Sequence, residues 1–261
     1  MRILVTFAVD AEFAPWRKRH DFRVKEFPLI ARKSSIALPA ARVGEVTVTV
    51  FLTGIGWNSQ DDRFRQVMDT WPSMCISAGL AGALKPLFKI GDLVVARKVG
   101  ELGTNHWIEC DRRLVRAATE CGAKFAEACV TSSKILASAT QKMAASSGGD
   151  IVDMESYHIL TAASGKKIPG GLVVRSISDL AREDLPLDFG KVADSKGHLK
   201  FSELAKEIGR KPHRIPGLLS FGMNTKRAGK SLADFLDRFI PALKNGAEQW
   251  SNELFEQVES A

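Results

Sequence analysis

The chemistry in this chain is most legible in three acids placed at or near the ends of predicted strands. Asp179 follows the apolar run 173–177, so it falls at the rim of a sheet, where partial burial suits a carboxyl that holds a proton and then gives it up. An aspartate that caps the following turn is the plainer alternative. Glu155 stands in Val152-Asp153-Met154-Glu155-Ser156. Its two carboxylate oxygens match a vicinal diol such as that of ribose, with the Met154 thioether as an apolar floor; acids in a first helical turn also simply complement the helix dipole. Glu12, just after the first strand, is a third acid that the topology could bring to the same edge. One acid on a leaving group, one on a sugar diol and one on a water make a glycoside-cleaving set.

Two segments of small residues accompany them, Thr53-Gly54-Ile55-Gly56 and Ser77-Ala78-Gly79-Leu80-Ala81-Gly82. Without bulky side chains, their backbone N–H groups can approach a ligand oxygen closely. Neither is a Walker loop or a dinucleotide-binding glycine fingerprint, and tight strand-to-helix turns would use the same residues.

These residues need a scaffold, and the chain alternates β-rich and helix-compatible stretches as a helix-covered sheet does. Strands are predicted at 1–9, 46–52, 74–77, 93–96, 128–131 and 171–177. Helices are predicted from Asn58 or Ser59 to about Thr70, over 112–121, and from Glu155 to Ala163. Beyond Pro186 the chain is rich in charge and helix-compatible at 201–208 and 216–258, with Pro212, Pro216 and Pro241 as interruptions. No repeat or linker divides it, so residues 1–261 read as one domain, with 186–261 a mostly helical extension.

The 261 residues are 45% apolar and 26% charged with a net charge of +7, an ordinary globular composition that excludes disorder and collagen-like repetition. No window reaches the roughly 18 uncharged residues of a membrane span, and the apolar amino terminus is too short for a signal segment. Cys75, Cys110, Cys121 and Cys129 show no C-x-x-C spacing, so neither zinc nor a redox motif is expected, and a cytoplasmic setting is. Nucleic-acid binding would need aromatics interleaved with the basic residues at stacking spacing, which the tail lacks. Its cations Lys206, Arg210, Lys211, His213, Arg214, Lys226, Arg227 and Lys230 flank Ile215, Leu218, Leu219, Phe221 and Met223. That pairing suits peripheral contact with an anionic bilayer, or packing on the domain or on a partner subunit.

Taken in order, Phe7-Ala8-Val9-Asp10-Ala11-Glu12, Thr53-Gly54-Ile55-Gly56, Ile76-Ser77-Ala78-Gly79-Leu80-Ala81-Gly82, Ile90-Gly91-Asp92-Leu93-Val94-Val95, Val152-Asp153-Met154-Glu155 and Val174-Arg175-Ser176-Ile177-Ser178-Asp179 resemble the purine nucleoside phosphorylase and methylthioadenosine/S-adenosylhomocysteine nucleosidase superfamily. The resemblance covers about residues 1–185. It implies an α/β fold, a three-layer α/β/α sandwich with a central mixed sheet and a helical C-terminal extension. It also implies cleavage of a purine N-glycosidic bond, with no metal or organic cofactor and with inorganic phosphate as a co-substrate in the phosphorylase case. Asp179 would protonate purine N7 and Glu12 would position water, the two catalytic assignments. Glu155 would hold the ribose hydroxyls, Met154 would line the sugar face, and Ser77, Ala78 and Gly79 would lie near base and sugar. A homodimer acting on a small purine nucleoside is expected.

Two departures point away from the usual 5′-thio substrates. The segment that matches the family's base-stacking aromatic reads Thr131-Ser132-Ser133-Lys134-Ile135-Leu136, and the loop after Ala96 is short. Asp184-Leu185-Pro186 and the stretch 210–219 resemble instead the hopanoid-associated phosphorylase branch, which acts on adenosylhopane. A carboxylate at Glu12 favours water over phosphate as the nucleophile, since like charges repel. A non-catalytic nucleoside-binding or lipid-surface-binding protein that keeps the fold is the competing reading, and it has no need of a proton donor at Asp179.

Overall fold

The computed structural model describes residues 1–30, 33–56, 62–186 and 215–259. Among these residues, ten strands form one mixed sheet: β1 (Arg2–Phe7), β2 (Arg23–Pro28), β3 (Ser35–Val43), β4 (Val46–Leu52), β5 (Met74–Ala83), β6 (Leu93–Glu101), β7 (Trp107–Glu109), β8 (Lys124–Thr131), β9 (Ile151–Asp153) and β10 (Gly170–Asp179). Among the described residues, six helices accompany it: α1 (Asp10–Arg17), α2 (Asp62–Asp69), α3 (Arg112–Glu120), α4 (Ala139–Ala145), α5 (Ser156–Gly165) and α6 (Ile215–Glu259).

The strand order is β10-β6-β8-β9-β5-β1-β4-β3-β2, and β10 also pairs with β5. Five strands therefore close into a ring, β5-β10-β6-β8-β9, from which β1, β4, β3 and β2 extend as an open wing. β5 is long enough to serve both parts. Its first residues pair with β1 and its last with β9, while β10 runs parallel along its other edge.

Both faces of the wing are covered, so its central strands are apolar on both sides. In β1, Ile3, Val5 and Phe7 join a core with Phe13 and Trp16 of α1, Leu114 of α3 and Phe235 and Phe239 of α6. Leu4 points the other way, into a second core with Phe64, Val67 and Met68 of α2 and Ile159 of α5. The period of two in the strand dictates this division.

The expected strands and the helices at 112–121 and 155–163 have counterparts, with boundaries moved by a few residues. The expected start of α2 at Asn58 or Ser59 and the helix at 201–208 lie outside the described residues. The prolines of the tail act differently from the expectation. Pro216 is the second residue of α6, where its missing N–H costs nothing, and Pro241 lies inside the helix without ending it. α6 packs through Leu232, Phe235, Leu236, Phe239, Ile240 and Leu243, all fully buried. Among the described residues no helix is long and apolar enough to cross a membrane.

Candidate active site

β1, β4, β5 and β10 run parallel, so their carboxyl ends share one edge, where open α/β sheets bind ligands. A cleft of about 250 Å³ opens there. Glu12, Met154, Glu155 and Asp179 all line it, so the structure brings together the acids that sequence spacing left apart.

Each acid is held by its local backbone. Glu12 sits in the first turn of α1 and reaches back to the amide of Ala8 at 2.9 Å, while its other oxygen accepts the amide of Leu80 at 2.9 Å. Burial raises its pKa, against the lowering pull of Arg175 and of the amides that bind it. Glu155 is buried just before α5 and accepts the amide of Gly56 at 2.8 Å. Gly54 and Gly56 both have positive φ, 82° and 71°, a conformation that favours glycine and turns this amide toward the carboxylate. Burial, then the neighbouring charges of Asp153 and Glu12, push Glu155 up to about 8 although Arg175 opposes them.

Asp179 ends β10 at a register shift against β5, a bulge that re-aims the last side chain of the strand. Its Oδ1 accepts the Ser178 hydroxyl at 2.8 Å, and its Oδ2 lies 2.5 Å from Nζ of Lys142. A Cβ on Gly82 would come within 2.8 Å of that carboxylate, so the close approach requires glycine there.

Ser77, Ala78 and Gly79 do not line the cleft, because β5 continues past them and offers Leu80, Ala81 and Gly82 to it instead. Ala78 packs into the apolar core, while Ser77 and Gly79 adjoin a residue to which the sequence reading gave no role, Arg175. This guanidinium is fully buried, donates to Asp153 at 2.9 Å from Nε, and from Nη2 reaches Ser77 Oγ at 2.9 Å and Ser156 Oγ at 2.7 Å. Asp153 in turn accepts the Thr131 hydroxyl at 2.7 Å. Burial by itself would lower the pKa of Arg175, but Asp153, Glu155 and Glu12 together raise it, so a cation is fixed under the acids. An arginine inside the apolar run 172–177 was the available signal, since a charge in a buried strand must be paired.

Gly79 is the spacer between that cation and Glu12. A Cβ there would stand 2.2 Å from Arg175 Nη1 and 3.2 Å from both Glu12 oxygens. Gly79→Ala is expected to fold and to lose about 10²-fold in turnover, because displacing either group by about 1 Å spoils the alignment. Wild-type turnover in a folded Gly79→Ala protein would show that the Arg175–Glu12 spacing does not matter.

The remaining wall is mostly aliphatic. Ile55, Lys134, Ile135, Leu136, Leu185 and Phe221 line it, with Thr225, so α6 closes one side of the cleft. Leu219 and Met223 on the same helix are 65% and 66% exposed and stand outside it, near the exposed cations Lys226 and Lys230. Of the other tail cations, Lys206, Arg210, Lys211, His213 and Arg214 lie outside the described residues. The four cysteines are free thiols, and among the described residues no group of three or more His, Cys, Asp and Glu could hold a metal ion.

The family model of the phosphorylase superfamily matches residues 2–208. The chain belongs to this superfamily. Among solved structures, a futalosine hydrolase mutant of Helicobacter pylori is 17% identical with a TM-score of 0.66, covering 92% of this chain and 98% of its own. The 5′-methylthioadenosine/S-adenosyl homocysteine nucleosidase of Campylobacter jejuni is 16% identical, TM-score 0.66, covering 93% and 99%. That of S. pneumoniae with the transition-state inhibitor MT-ImmA is 19% identical, TM-score 0.66, covering 93% and 100%. No curated protein matches. At these identities the likeness bears on the fold, and this phosphorylase-superfamily chain shares it over 92–93% of its length.

Proposed function

We propose that this phosphorylase-superfamily protein hydrolyses the N-glycosidic bond of a purine nucleoside carrying an apolar 5′ substituent. The observation that carries the reading is the convergence of Glu12, Glu155 and Asp179 on one cleft above a buried arginine. Asp179 gives a proton to N7 as the bond from C1′ to N9 breaks and its electron pair moves to the purine. Glu155 accepts hydrogen bonds from the 2′ and 3′ hydroxyls and faces the positive charge that gathers on the sugar. Glu12 orients the water and takes its proton as the oxygen joins C1′. Futalosine hydrolase and the methylthioadenosine nucleosidases, which share the fold, support this assignment.

Water is favoured over phosphate by the lining. Among the described residues of the cleft wall, Lys134 is the one basic side chain that a phosphate could pair with. Arg17 and Arg19 are engaged with Asp10 and with Asp234 and Asp237, and Arg42 bonds the carbonyl of Glu45. Ile135 and Leu136 give a flat aliphatic contact for the base where the family's aromatic would stack. Leu185 and Phe221 suit an apolar 5′ group, in line with the adenosylhopane branch that the C-terminal motif resembles. Leu219 and Met223 beside Lys226 and Lys230 suit a substrate drawn from an anionic membrane surface.

The test is incubation with adenosine and 5′-alkylated adenosines, with and without phosphate, reading free base and sugar. Free ribose at equal rates in both arms is the expected result. A dependence on phosphate with ribose 1-phosphate as product would replace hydrolysis by phosphorolysis, and no free base from any purine nucleoside would overturn the enzymatic reading.

A further inference from the structure

We propose that Lys142 is a positioning residue for purine departure, acting through Asp179. The inference rests on the hydrolytic reading above and adds a residue that reading does not need.

Lys142 lies in α4, away from the sheet edge, yet it is fully buried. Its ammonium has three protons and three acceptors: Asp179 Oδ2 at 2.5 Å, the Leu180 carbonyl at 2.8 Å and the Glu183 carbonyl at 3.0 Å. None is left to touch a ligand, and Lys142 does not line the cleft. Its influence on the reaction therefore passes through the carboxyl it holds. With Oδ1 accepting from Ser178 and Oδ2 paired with Lys142, Asp179 is clamped at both oxygens in the carboxylate form, the form that remains once its proton is on N7.

The charge has a further use. When the glycosidic bond breaks, the electron pair goes to the purine, the Asp179 proton goes to N7, and a carboxylate remains on Asp179 facing the Lys142 ammonium. The negative charge created at this end of the cleft forms beside a cation already in place, so no solvent need reorganise. When the purine has left, Glu12 releases to solvent the proton it took from the water, and Asp179 takes one up from solvent, which resets the site. The same lysine also ties α4 to the segment after β10, as do Asp184 Oδ1 with the amide of Ala139 and the carbonyl of Ala137 with the amide of Leu185. A purely structural role is therefore the alternative that the experiment must separate.

Lys142→Gln keeps donors for the two carbonyls and removes the charge, and Lys142→Arg keeps the charge. Both are made in the wild-type background and with Asp179→Asn, and kcat and KM are measured with the nucleoside that the wild type cleaves. Lys142→Gln is expected to lower kcat about 10²-fold with little change in KM. Lys142→Arg should restore most of it, and Lys142→Gln should add less than about 3-fold to Asp179→Asn, because its partner is already gone. Equal losses from Lys142→Gln in both backgrounds, or a KM effect alone, would overturn the proposal and leave a structural tie. If Lys142→Gln does not fold, Lys142→Arg decides: a folded variant that loses activity as fully as Asp179→Asn shows that charge at this position is not what matters. Failure of the hydrolytic reading shows separately, as phosphate dependence or no free base with the wild type, and failure of the acid role as full activity in Asp179→Asn itself.

Discussion

Asp179→Asn is expected to lower kcat by about 10²–10⁴-fold while the protein stays folded, the usual worth of a general acid. Asparagine has nearly the same shape and keeps a carbonyl oxygen for the Lys142 ammonium, which also retains its bonds to Leu180 and Glu183. What it lacks is a proton acidic enough to transfer to N7. The loss should fall on kcat more than on KM, since the proton moves only as the bond breaks. A steady-state assay alongside a thermal melt checks both halves; near-wild-type kcat in a folded variant would remove Asp179 from the chemistry.

Glu155→Gln should separate function from stability. Above about pH 8, where Glu155 is ionised, Gln presents one acceptor where the carboxylate has two and carries no charge to face a cationic sugar, so turnover of ribosides there should fall about 10²-fold, and that of 2′-deoxyribosides by less. Stability should move the other way with rising pH. The folded protein holds the Glu155 proton up to about 8, well above the unfolded value near 4.5. A raised pKa contributes stability that is fully present below the unfolded pKa and is lost as pH climbs through the folded one. Wild-type stability should thus carry a penalty that grows from about pH 4.5 to 8, on the order of a few kcal/mol, and the glutamine variant should lack it. The melting temperature of Glu155→Gln minus that of the wild type should increase by about 5 °C or more from pH 5 to pH 8. A difference that stays flat across that range would mean that Glu155 does not hold its proton in the folded state.

The parts of the fold and site that could be read from sequence are those where residue type and backbone position agree. β1, β4 and β10 are dominated by apolar and β-branched residues, Asp179 ends β10, and Glu12 and Glu155 stand shortly after β1 and β9. β2 and β3 escaped because the wing edge is exposed at Arg23, Val24, Lys25 and Glu26, and because Pro39 within β3 argues against a strand. α4 inverts the usual rule: Lys142 is buried while its neighbour Met143 is 70% exposed. A hydropathy pattern places such a lysine on the surface, and only the acceptors of a distant strand end explain its burial. Phe221 and Thr225 were equally hidden, since their place in the cleft depends on a helix more than thirty residues beyond the last strand. Ser77, Ala78 and Gly79 show the reverse case. The motif is there, but three more residues of β5 carry the lining on to Gly82.

The cleft is assembled from two kinds of material. Its acids are attached to the sheet and to the turns that leave it, Glu12 and Glu155 locked to backbone amides above Arg175 and Asp179 to Ser178 and Lys142. Its aliphatic wall comes from the segment around Leu136, from Leu185 and from the first turns of α6. Inheritance can act on these separately. A lineage that exchanges Leu185, Phe221 or Thr225 explores new molecules to cut without disturbing the machinery that cuts, whereas any drift at Arg175 or Gly79 is felt by every substrate at once. For an engineer the same division marks where a library should be randomised and where it should be left alone.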